Sequence, residues 1–194
     1  MKLRIRFALF PGVLLLLAAC APSAAPEPAP PANLPGAAES SDFERVSDFE
    51  LVVYQGQEVL GGDIVRFQEL LDQGKPVVLN FWAGLCPPCR VEMPDLQEVY
   101  DEYGDRMLLV GLDVGPFVGL GSQADAQALL TELAVTYPAG TTTDANVVVD
   151  YGLLGMPTTY FISPEGELVD TWTGLLTKDK LVELVEQLLE ASAS

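Results

Sequence analysis

Histidine is absent from this chain of 194 residues, and basic residues are scarce. Without an imidazole there can be no Cys–His nucleophile pair, no histidine metal ligand and no imidazole proton shuttle. Ten Lys and Arg residues stand against 28 Asp and Glu residues, which gives a formal net charge of −18. Because phosphate recognition needs a basic surface, this balance excludes nucleic acid as an expected partner. Any general acid or base must be a carboxylate, a Lys, a Tyr or water.

Cysteine is also scarce, with three in the chain: Cys20, Cys86 and Cys89. Near the N-terminus, the apolar run at 7–19 follows three basic residues and is too short to cross a bilayer, but it suits the apolar region of a signal peptide. It ends in Leu-Ala-Ala-Cys, which resembles the lipobox of bacterial lipoproteins. We therefore expect residues 1–19 to be a lipoprotein signal peptide and Cys20 to carry lipid, outside the cytoplasm on the cell membrane. An ordinary secretory signal followed by a chance cysteine is the alternative.

The remaining chain divides by composition into a tether and a domain. Residues 20–42 are rich in Pro and Ala and contain little that could build a core. They predict an extended tether reaching on the order of 60 Å if it is mostly polyproline II. Residues 43–194 are enough for one domain with a substantial core.

The most informative motif is Cys86-Pro87-Pro88-Cys89, which follows a buried-type strand predicted at 77–81. A helix is predicted to begin within the motif, since prolines are tolerated in the first turn. Unpaired N–H groups and the positive end of the helix dipole then stabilise a thiolate at the first cysteine. Because the thiolate is the form that attacks disulfides, the motif indicates dithiol–disulfide exchange.

Two other interpretations of the cysteine pair are weaker. A structural disulfide would close a loop too small to constrain the unfolded chain much. Half a zinc site would need a second cysteine pair or histidines, which the chain lacks. We therefore expect a redox-active pair, with no metal and no cofactor.

Hydrophobic patterning predicts an α/β fold. Asp63 is predicted to cap a short helix with Ile64 on its buried face, and 115–121 is predicted to be a flexible loop. Further strands are predicted at 49–54, 107–113, 158–162 and 168–173, and further helices from the cysteine motif to about 103, from 122 to about 133, and around 181–189. With the cysteine motif after the first core strand, this order predicts a thioredoxin-like fold, a central mixed sheet flanked by helices, with an extra N-terminal strand and helix.

The runs VVLNFWAGLCPPCRVEMPDLQEVYDEY and GMPTTYFISPEGELVDTWTG resemble the TlpA/ResA-like branch of membrane-anchored thioredoxins, over about residues 43–191. The resemblance implies that Cys86 is the exposed attacking thiol and Cys89 the buried resolving thiol. It implies that Pro157 is a cis-proline facing the disulfide. It also implies that Glu92, one helical turn after Cys89, moves the proton of the buried thiol. The alternative for Glu92 is a solvated helix glutamate.

The resemblance also implies a set of partners. Substrate proteins would contact Trp82, Leu85, Pro87, Pro88, Met156 and Pro157. The expected function is exchange with protein thiols and disulfides, as a reductant, for example in cytochrome c maturation, with a transmembrane dithiol donor to recycle the pair. Pro88 supports the reducing direction, because strongly oxidising sites have histidine there.

Two departures and three alternatives remain. Cytosolic thioredoxins have a buried Asp where this chain has Asn80, and most relatives have Trp where it has Leu85. A peroxiredoxin-like (AhpC/TSA) antioxidant shares the fold, but neither cysteine of the pair follows the expected Pro-x-x-x-Thr/Ser-x-x-Cys pattern. A copper-delivering Sco-type protein would need Cys-x-x-x-Cys and a histidine. A redox-inactive, lipid-anchored interaction module is the non-enzymatic alternative.

Overall fold

A computed structural model describes residues 45–193 of the protein. The predicted signal peptide, the lipidation of Cys20 and the tether lie outside the described residues. Within residues 45–193, none of the helices combines the length and the apolar character needed to cross a membrane.

Residues 45–193 form seven strands and seven helices. The strands are β1 (Glu50–Gln55), β2 (Ile64–Arg66), β3 (Val77–Trp82), β4 (Leu108–Asp113), β5 (Ala139–Thr141), β6 (Thr158–Ile162) and β7 (Leu168–Thr173). The helices are α1 (Gln57–Leu60), α2 (Phe67–Leu71), α3 (Pro87–Tyr103), α4 (Gly115–Val118), α5 (Gln123–Glu132), α6 (Val147–Asp150) and α7 (Lys178–Ala191).

The strands form one mixed sheet in the order β2-β1-β5-β4-β3-β6-β7. β3 runs parallel to β4, and β4 runs parallel to β5, whereas the other neighbours are antiparallel. All six residues of the central strand β3 are buried. A strand covered on both faces needs a continuous apolar sequence, which explains the run that precedes the cysteine motif. The predicted central mixed sheet is confirmed.

Helices cover both faces of this sheet. Val78 and Trp82 of β3 point to a core built with α3, α5 and α7, which also contains both cysteines of the motif. Leu79 and Phe81 point to the opposite core, built with α2 and α6. Because side chains alternate along a strand, Asn80 lies on the same face as α3. This alternation places a polar side chain of β3 beneath the helix that carries the cysteines.

The N-terminal part differs from the prediction. It has two strands and two helices before β3 rather than one of each. Ile64 is 60% exposed and belongs to β2, so its prediction on a buried helix face was wrong; α2 begins at Phe67. Residue 64 pairs with Val52 of β1, and this backbone pairing outweighs the apolar spacing that favoured a helix. The predicted loop at 115–121 instead begins with the short helix α4.

Candidate active site

The cysteine pair lies where β3 ends and α3 begins. Cys86 is the N-cap residue of α3, and a disulfide joins it to Cys89 in the first turn. The backbone N–H of Cys89 donates to Cys86 Sγ at 3.3 Å. This is the predicted position at a helix N-terminus, where free N–H groups stabilise negative charge on the first sulfur.

Accessibility distinguishes the two cysteines. Cys89 is fully buried, but Cys86 is also only 3% exposed, so the expectation of an exposed attacking thiol was wrong in degree. Cys86 nevertheless lines an open cavity of about 310 Å³, to which Cys89 does not contribute. The lining residues come from three separate segments of the chain: Cys86, Pro87, Pro88, Val118, Leu120, Leu153, Leu154, Gly155 and Met156. An incoming sulfur therefore has a route to Cys86.

The residues before Cys86 divide into a buried and an exposed part. Trp82 is fully buried, so the expectation that it contacts substrate is wrong. A Cβ atom on Gly111 would lie 2.9 Å from Trp82 Nε1, which shows that the indole packs against a position without a side chain. Leu85 is 60% exposed, and its N–H donates to the carbonyl of Leu120 at 2.8 Å. Leu85 is therefore the residue of this segment that is exposed and accessible to a partner.

The loop opposite the disulfide contains a cis peptide bond between Met156 and Pro157, as the resemblance implied. Pro157 is buried, and its carbonyl accepts a hydrogen bond from Gly174 N–H at 2.8 Å. Met156 lines the cavity, and its N–H and C=O make no hydrogen bond within residues 45–193. The main chain of Met156 is therefore free to pair with an extended substrate. Pro157, in contrast, is buried, and its carbonyl is already used in a hydrogen bond within the protein.

Glu92 is buried, with only 1% of its surface exposed. Its Oε1 accepts a hydrogen bond from Asn80 Nδ2 at 2.8 Å, and its Oε2 accepts one from Leu176 N–H at 3.1 Å. The solvated-glutamate alternative is therefore wrong. The pKa of Glu92 is raised to about 7. Burial is the main cause and the charge of Asp95 acts in the same direction, whereas the two hydrogen bonds oppose the rise. The carboxyl can consequently take up and release a proton near neutral pH.

Replacement of Glu92 by Gln is expected to change how stability depends on pH. The pKa in the folded protein, about 7, exceeds the ordinary value of 4.5, so the folded state holds this proton more tightly than the unfolded chain. The contribution of the Glu92 proton to the free energy of unfolding is on the order of 3 kcal/mol. It is fully present below pH 4.5 and is lost as the pH rises through 7. Urea unfolding between pH 4 and 9 should show a shallower decline for Glu92→Gln.

The matched control is Glu102→Gln, since Glu102 is exposed on the same helix. It should keep the decline of the unmodified protein. Part of the decline should remain in Glu92→Gln, because Asp113 shifts in the same direction. Identical slopes for the unmodified protein and Glu92→Gln would contradict the expectation.

Asp113 is a second buried carboxyl, which sequence reasoning missed. It ends β4, is the register partner of Trp82, and is fully buried. Its Oδ2 accepts a hydrogen bond from the Tyr54 hydroxyl at 3.1 Å, and its Oδ1 accepts one from Gly115 N–H at 2.9 Å. Burial raises its pKa to about 6, against the effect of these two donors. No local signal distinguishes such an Asp from one that ends a strand in solvent.

Most of the residues that form the cavity walls were also not predicted from the sequence. Val118 and Leu120 follow β4, and Leu153 and Leu154 follow α6, so they meet only in the folded chain. Neither 114–124 nor 151–164 contains a charged residue, although the chain as a whole is strongly acidic. The entrance to Cys86 is therefore apolar and almost free of charge, which suits an apolar peptide segment.

Three comparisons with known proteins agree with this geometry. The model of the AhpC/TSA family matches residues 44–171. The thiol-disulfide oxidoreductase ResA of Oceanobacillus iheyensis is 36% identical over 137 residues, which are 69% of this chain and 66% of that protein. The protein of the same name from Halalkalibacterium halodurans is 32% identical over 129 residues, 66% of this chain and 70% of that one. The match thus spans just under two thirds of the first relative and slightly more of the second.

A solved structure extends the likeness to the fold. The exposed lipoprotein thioredoxin of Streptococcus pneumoniae is 30% identical, with a TM-score of 0.59 over 72% of this chain and 99% of that one. The family model does not distinguish an exchange enzyme from the peroxiredoxin-like alternative, because that alternative was also assigned to AhpC/TSA. The two relatives favour the exchange enzyme, because both are named thiol-disulfide oxidoreductases. The chain belongs to the AhpC/TSA family, and within it this thioredoxin-fold protein is a ResA-like thiol–disulfide oxidoreductase.

Proposed function

We propose that this protein exchanges its Cys86–Cys89 pair with the thiols and disulfides of substrate proteins outside the cytoplasm, acting as a reductant, for example in cytochrome c maturation. One observation carries the proposal. A disulfide at the N-terminus of α3 adjoins an apolar cavity, and of its two cysteines only Cys86 lines the cavity.

The exchange proceeds in two displacements. The Cys86 thiolate attacks one sulfur of a substrate disulfide, so that a mixed disulfide forms and the other substrate sulfur leaves as a thiolate. Cys89 then loses its proton and attacks Cys86 Sγ, which releases the second substrate sulfur. Two electrons pass to the substrate, its two sulfurs take up two protons, and the Cys86–Cys89 disulfide forms. Recycling needs a dithiol donor, for which we propose a transmembrane protein.

Glu92 is the proposed base for the second displacement. It lies three residues after Cys89 on α3, on the same helix face. Its pKa of about 7 lets the ionised carboxyl accept the proton of Cys89 and the neutral form return it in the opposite direction. A buried thiol has no direct exchange with bulk water, so a buried carboxyl with a pKa near neutrality suits this task.

The proposed substrate contacts are apolar side chains and one stretch of free main chain. Leu85 is exposed next to Cys86 in the chain, Pro87 and Pro88 line the cavity with Cys86, and Met156 contributes unpaired N–H and C=O groups to the same cavity. An extended segment around a substrate cysteine could pair with Met156 while its neighbours enter the cavity. Leu85 in place of the usual Trp leaves a smaller apolar contact, which favours substrates different from those of most relatives.

The proposed location rests on sequence and on one relative. The lipobox-like end of the apolar N-terminal run supports lipidation of Cys20 and attachment to the cell membrane. The Streptococcus pneumoniae relative is an exposed lipoprotein by its own description. A lipid-attached domain on an extended tether could reach substrates close to the membrane surface.

Equilibration with glutathione mixtures tests the proposed direction. We expect a reduction potential nearer to that of thioredoxin, about −270 mV, than to that of DsbA, about −120 mV. The physical reason is that Pro88 supplies no positive charge to stabilise the reduced thiolate. The matched variant Pro88→His should shift the potential to a more oxidising value, measured by alkylation and mass shift of Cys86.

A strongly oxidising potential for the unmodified protein would contradict the reductant role. A pair that never equilibrates with glutathione would contradict exchange altogether and favour the redox-inactive module.

A further inference from the structure

The wall segment, residues 114–121, forms one side of the cavity at Cys86 and contributes Val118 and Leu120 to its lining. It contains the short helix α4. Within the segment only Val114 and Gly115 are buried, and the residues that follow are partly or fully exposed. Because side-chain packing secures such a segment weakly, its position depends on the hydrogen bonds that hold it.

Asp113 directly precedes the wall segment, and its carboxyl accepts two hydrogen bonds from separate elements. Its Oδ1 accepts from Gly115 N–H at 2.9 Å, and its Oδ2 accepts from the Tyr54 hydroxyl at 3.1 Å. Tyr54 lies on β1 and Asp113 on β4, with β5 between them in the sheet. The carboxyl therefore ties the start of α4 to a strand two positions away.

Further hydrogen bonds continue from Gly115 to the cysteine motif. The carbonyl of Gly115 accepts from Leu120 N–H at 3.0 Å, and the carbonyl of Leu120 accepts from Leu85 N–H at 2.8 Å. Leu85 directly precedes Cys86 in the chain. A series of hydrogen bonds thus leads from the Asp113 carboxyl, through both ends of the wall segment, to the residue before the attacking cysteine.

Close packing around Gly115 shows how tightly these parts meet. A Cβ atom on Gly115 would lie 3.0 Å from Asp113 Oδ1, 3.2 Å from the carbonyl oxygen of Gly121 and 3.3 Å from the Cβ atom of Ala83. Gly121 ends the wall segment, and Ala83 belongs to the loop that leads to Cys86. The Asp113 carboxyl therefore lies where the wall segment meets that loop.

Stability alone does not explain a carboxyl at this position. Asp113 is fully buried, and in residues 45–193 no Lys or Arg forms an ion pair with it. A buried carboxylate without a cation is costly, and a well-packed apolar side chain would serve stability better. The carboxyl differs from an apolar side chain in offering acceptors to two donors at once.

We propose that Asp113 is a positioning residue for substrate binding, whose carboxyl fixes the wall segment and Leu85 before a substrate arrives. The inference rests on the proposed exchange with protein disulfides and deepens it. A surface that is already ordered loses less conformational freedom when an extended substrate binds. Because Asp113 does not line the cavity, it acts through the wall segment and not on the reacting sulfurs.

Single-turnover oxidation of the reduced protein separates binding from sulfur chemistry. Two substrates are compared: hydroxyethyl disulfide, which is too small to cover the wall segment, and two short apolar peptides joined by a disulfide. Asp113→Ala should raise the half-saturating concentration of the peptide disulfide by about tenfold. The maximal rate and the rate with hydroxyethyl disulfide should stay within about twofold of those of the unmodified protein, since the cysteines keep their surroundings.

Two further variants test whether the hydrogen bonds are responsible. Asp113→Asn keeps both of them, since its Oδ1 can accept from Gly115 N–H and its Nδ2 can donate to the Tyr54 hydroxyl. It should restore most of the binding that Asp113→Ala loses. Tyr54→Phe removes one donor and should cause a smaller rise than Asp113→Ala. A rise in Asp113→Asn equal to that in Asp113→Ala would overturn the proposal, because the charge and not the hydrogen bonds would then be responsible.

Leu188→Ala is the matched control for lost stability. Leu188 is fully buried on α7, two residues after Glu186, which accepts a hydrogen bond from the Tyr103 hydroxyl at 3.4 Å. Tyr103 ends α3, so the control lies at the far end of that helix from the cysteines. It should leave the half-saturating concentration unchanged. An equal rise in Leu188→Ala and Asp113→Ala, or no rise in Asp113→Ala, would overturn the proposal.

Amide hydrogen exchange tests the same role without a substrate. Asp113→Ala should speed exchange selectively at Gly115, Leu120 and Leu85, and Tyr54→Phe should do so to a smaller extent. Tyr54→Phe replaces Asp113→Ala if the latter does not fold. Unchanged protection at these three amides would overturn the proposal. If exchange there is faster but the unmodified protein reduces neither disulfide, the hold of Asp113 on the wall segment is established and the proposed function is refuted.

Discussion

Replacement of Cys86 by Ser is expected to reduce disulfide exchange to the background rate, whereas replacement of Cys89 by Ser is expected to turn the protein into a trap. Cys86 lines the cavity and Cys89 does not, so only Cys86 can meet a substrate sulfur. Without the second thiol, the mixed disulfide on Cys86 cannot resolve. Covalent adducts should accumulate in cells of the native host, visible as high-mass species on non-reducing gels.

The double variant with serine at both positions is the matched control, and it should give no adducts. Identification of the trapped proteins would name the pathway and test the link to cytochrome c maturation. Adducts that form through Cys89 in the Cys86→Ser variant would contradict the assignment of the attacking thiol. Absence of adducts while Cys86 remains open to alkylation would remove the main support for exchange with proteins.

Replacement of Gly84 by Ala is expected to lower both stability and exchange. A Cβ atom at this position would lie 2.5 Å from the backbone N of Ala126 and 2.6 Å from the backbone carbonyl carbon of Asp125. These atoms belong to the first turns of α5, so the clash can be relieved only by moving the helix or the loop that leads to Cys86. Overpacking of this kind costs about 1–3 kcal/mol. Urea unfolding and the rate with a small disulfide measure the two effects.

Gly62→Ala is the matched control, because the nearest atom to its added Cβ is 3.6 Å away. It should change the free energy of unfolding by less than about 0.5 kcal/mol and leave exchange unchanged. Equal stability of Gly84→Ala and Gly62→Ala would show that the loop and α5 adjust without cost. It would also remove the reason for a glycine two residues before Cys86.

Elements with strong local signals were predicted well. β6 and β7 have the predicted bounds, because both are rich in β-branched and aromatic residues and flank the turn at Ser163–Gly166. The start of α5 was predicted from Ser122 and Asp125, which form a reciprocal capping box. Such signals depend on residues within a few positions of one another, so the sequence alone contains them.

Elements held by distant partners were not predictable in this way. β5 consists of Ala139, Gly140 and Thr141, of which only Thr141 is a residue type that favours strands. It forms because it pairs with β1 on one side and β4 on the other. The burial of Trp82 has a similar origin, since its indole packs against Gly111 on the neighbouring strand. The family resemblance implied that this indole contacts substrate, and its complete burial contradicts that expectation.

The sequence by itself determined the chemistry of this protein, because a Cys-x-x-Cys pair at the start of a helix is a local pattern that places its sulfur among free N–H groups. Only the tertiary structure brought together the buried groups around Glu92, the residue that we propose as the base for the second displacement. Three polar residues meet there from separate elements: Asn80 from β3, Glu92 from α3 and Thr159 from β6. Within its own segment, none of them has a local pattern that predicts this contact. Their meeting away from water moves the pKa of Glu92 to about 7, since desolvation depends on everything packed around a group and not on its neighbours in sequence.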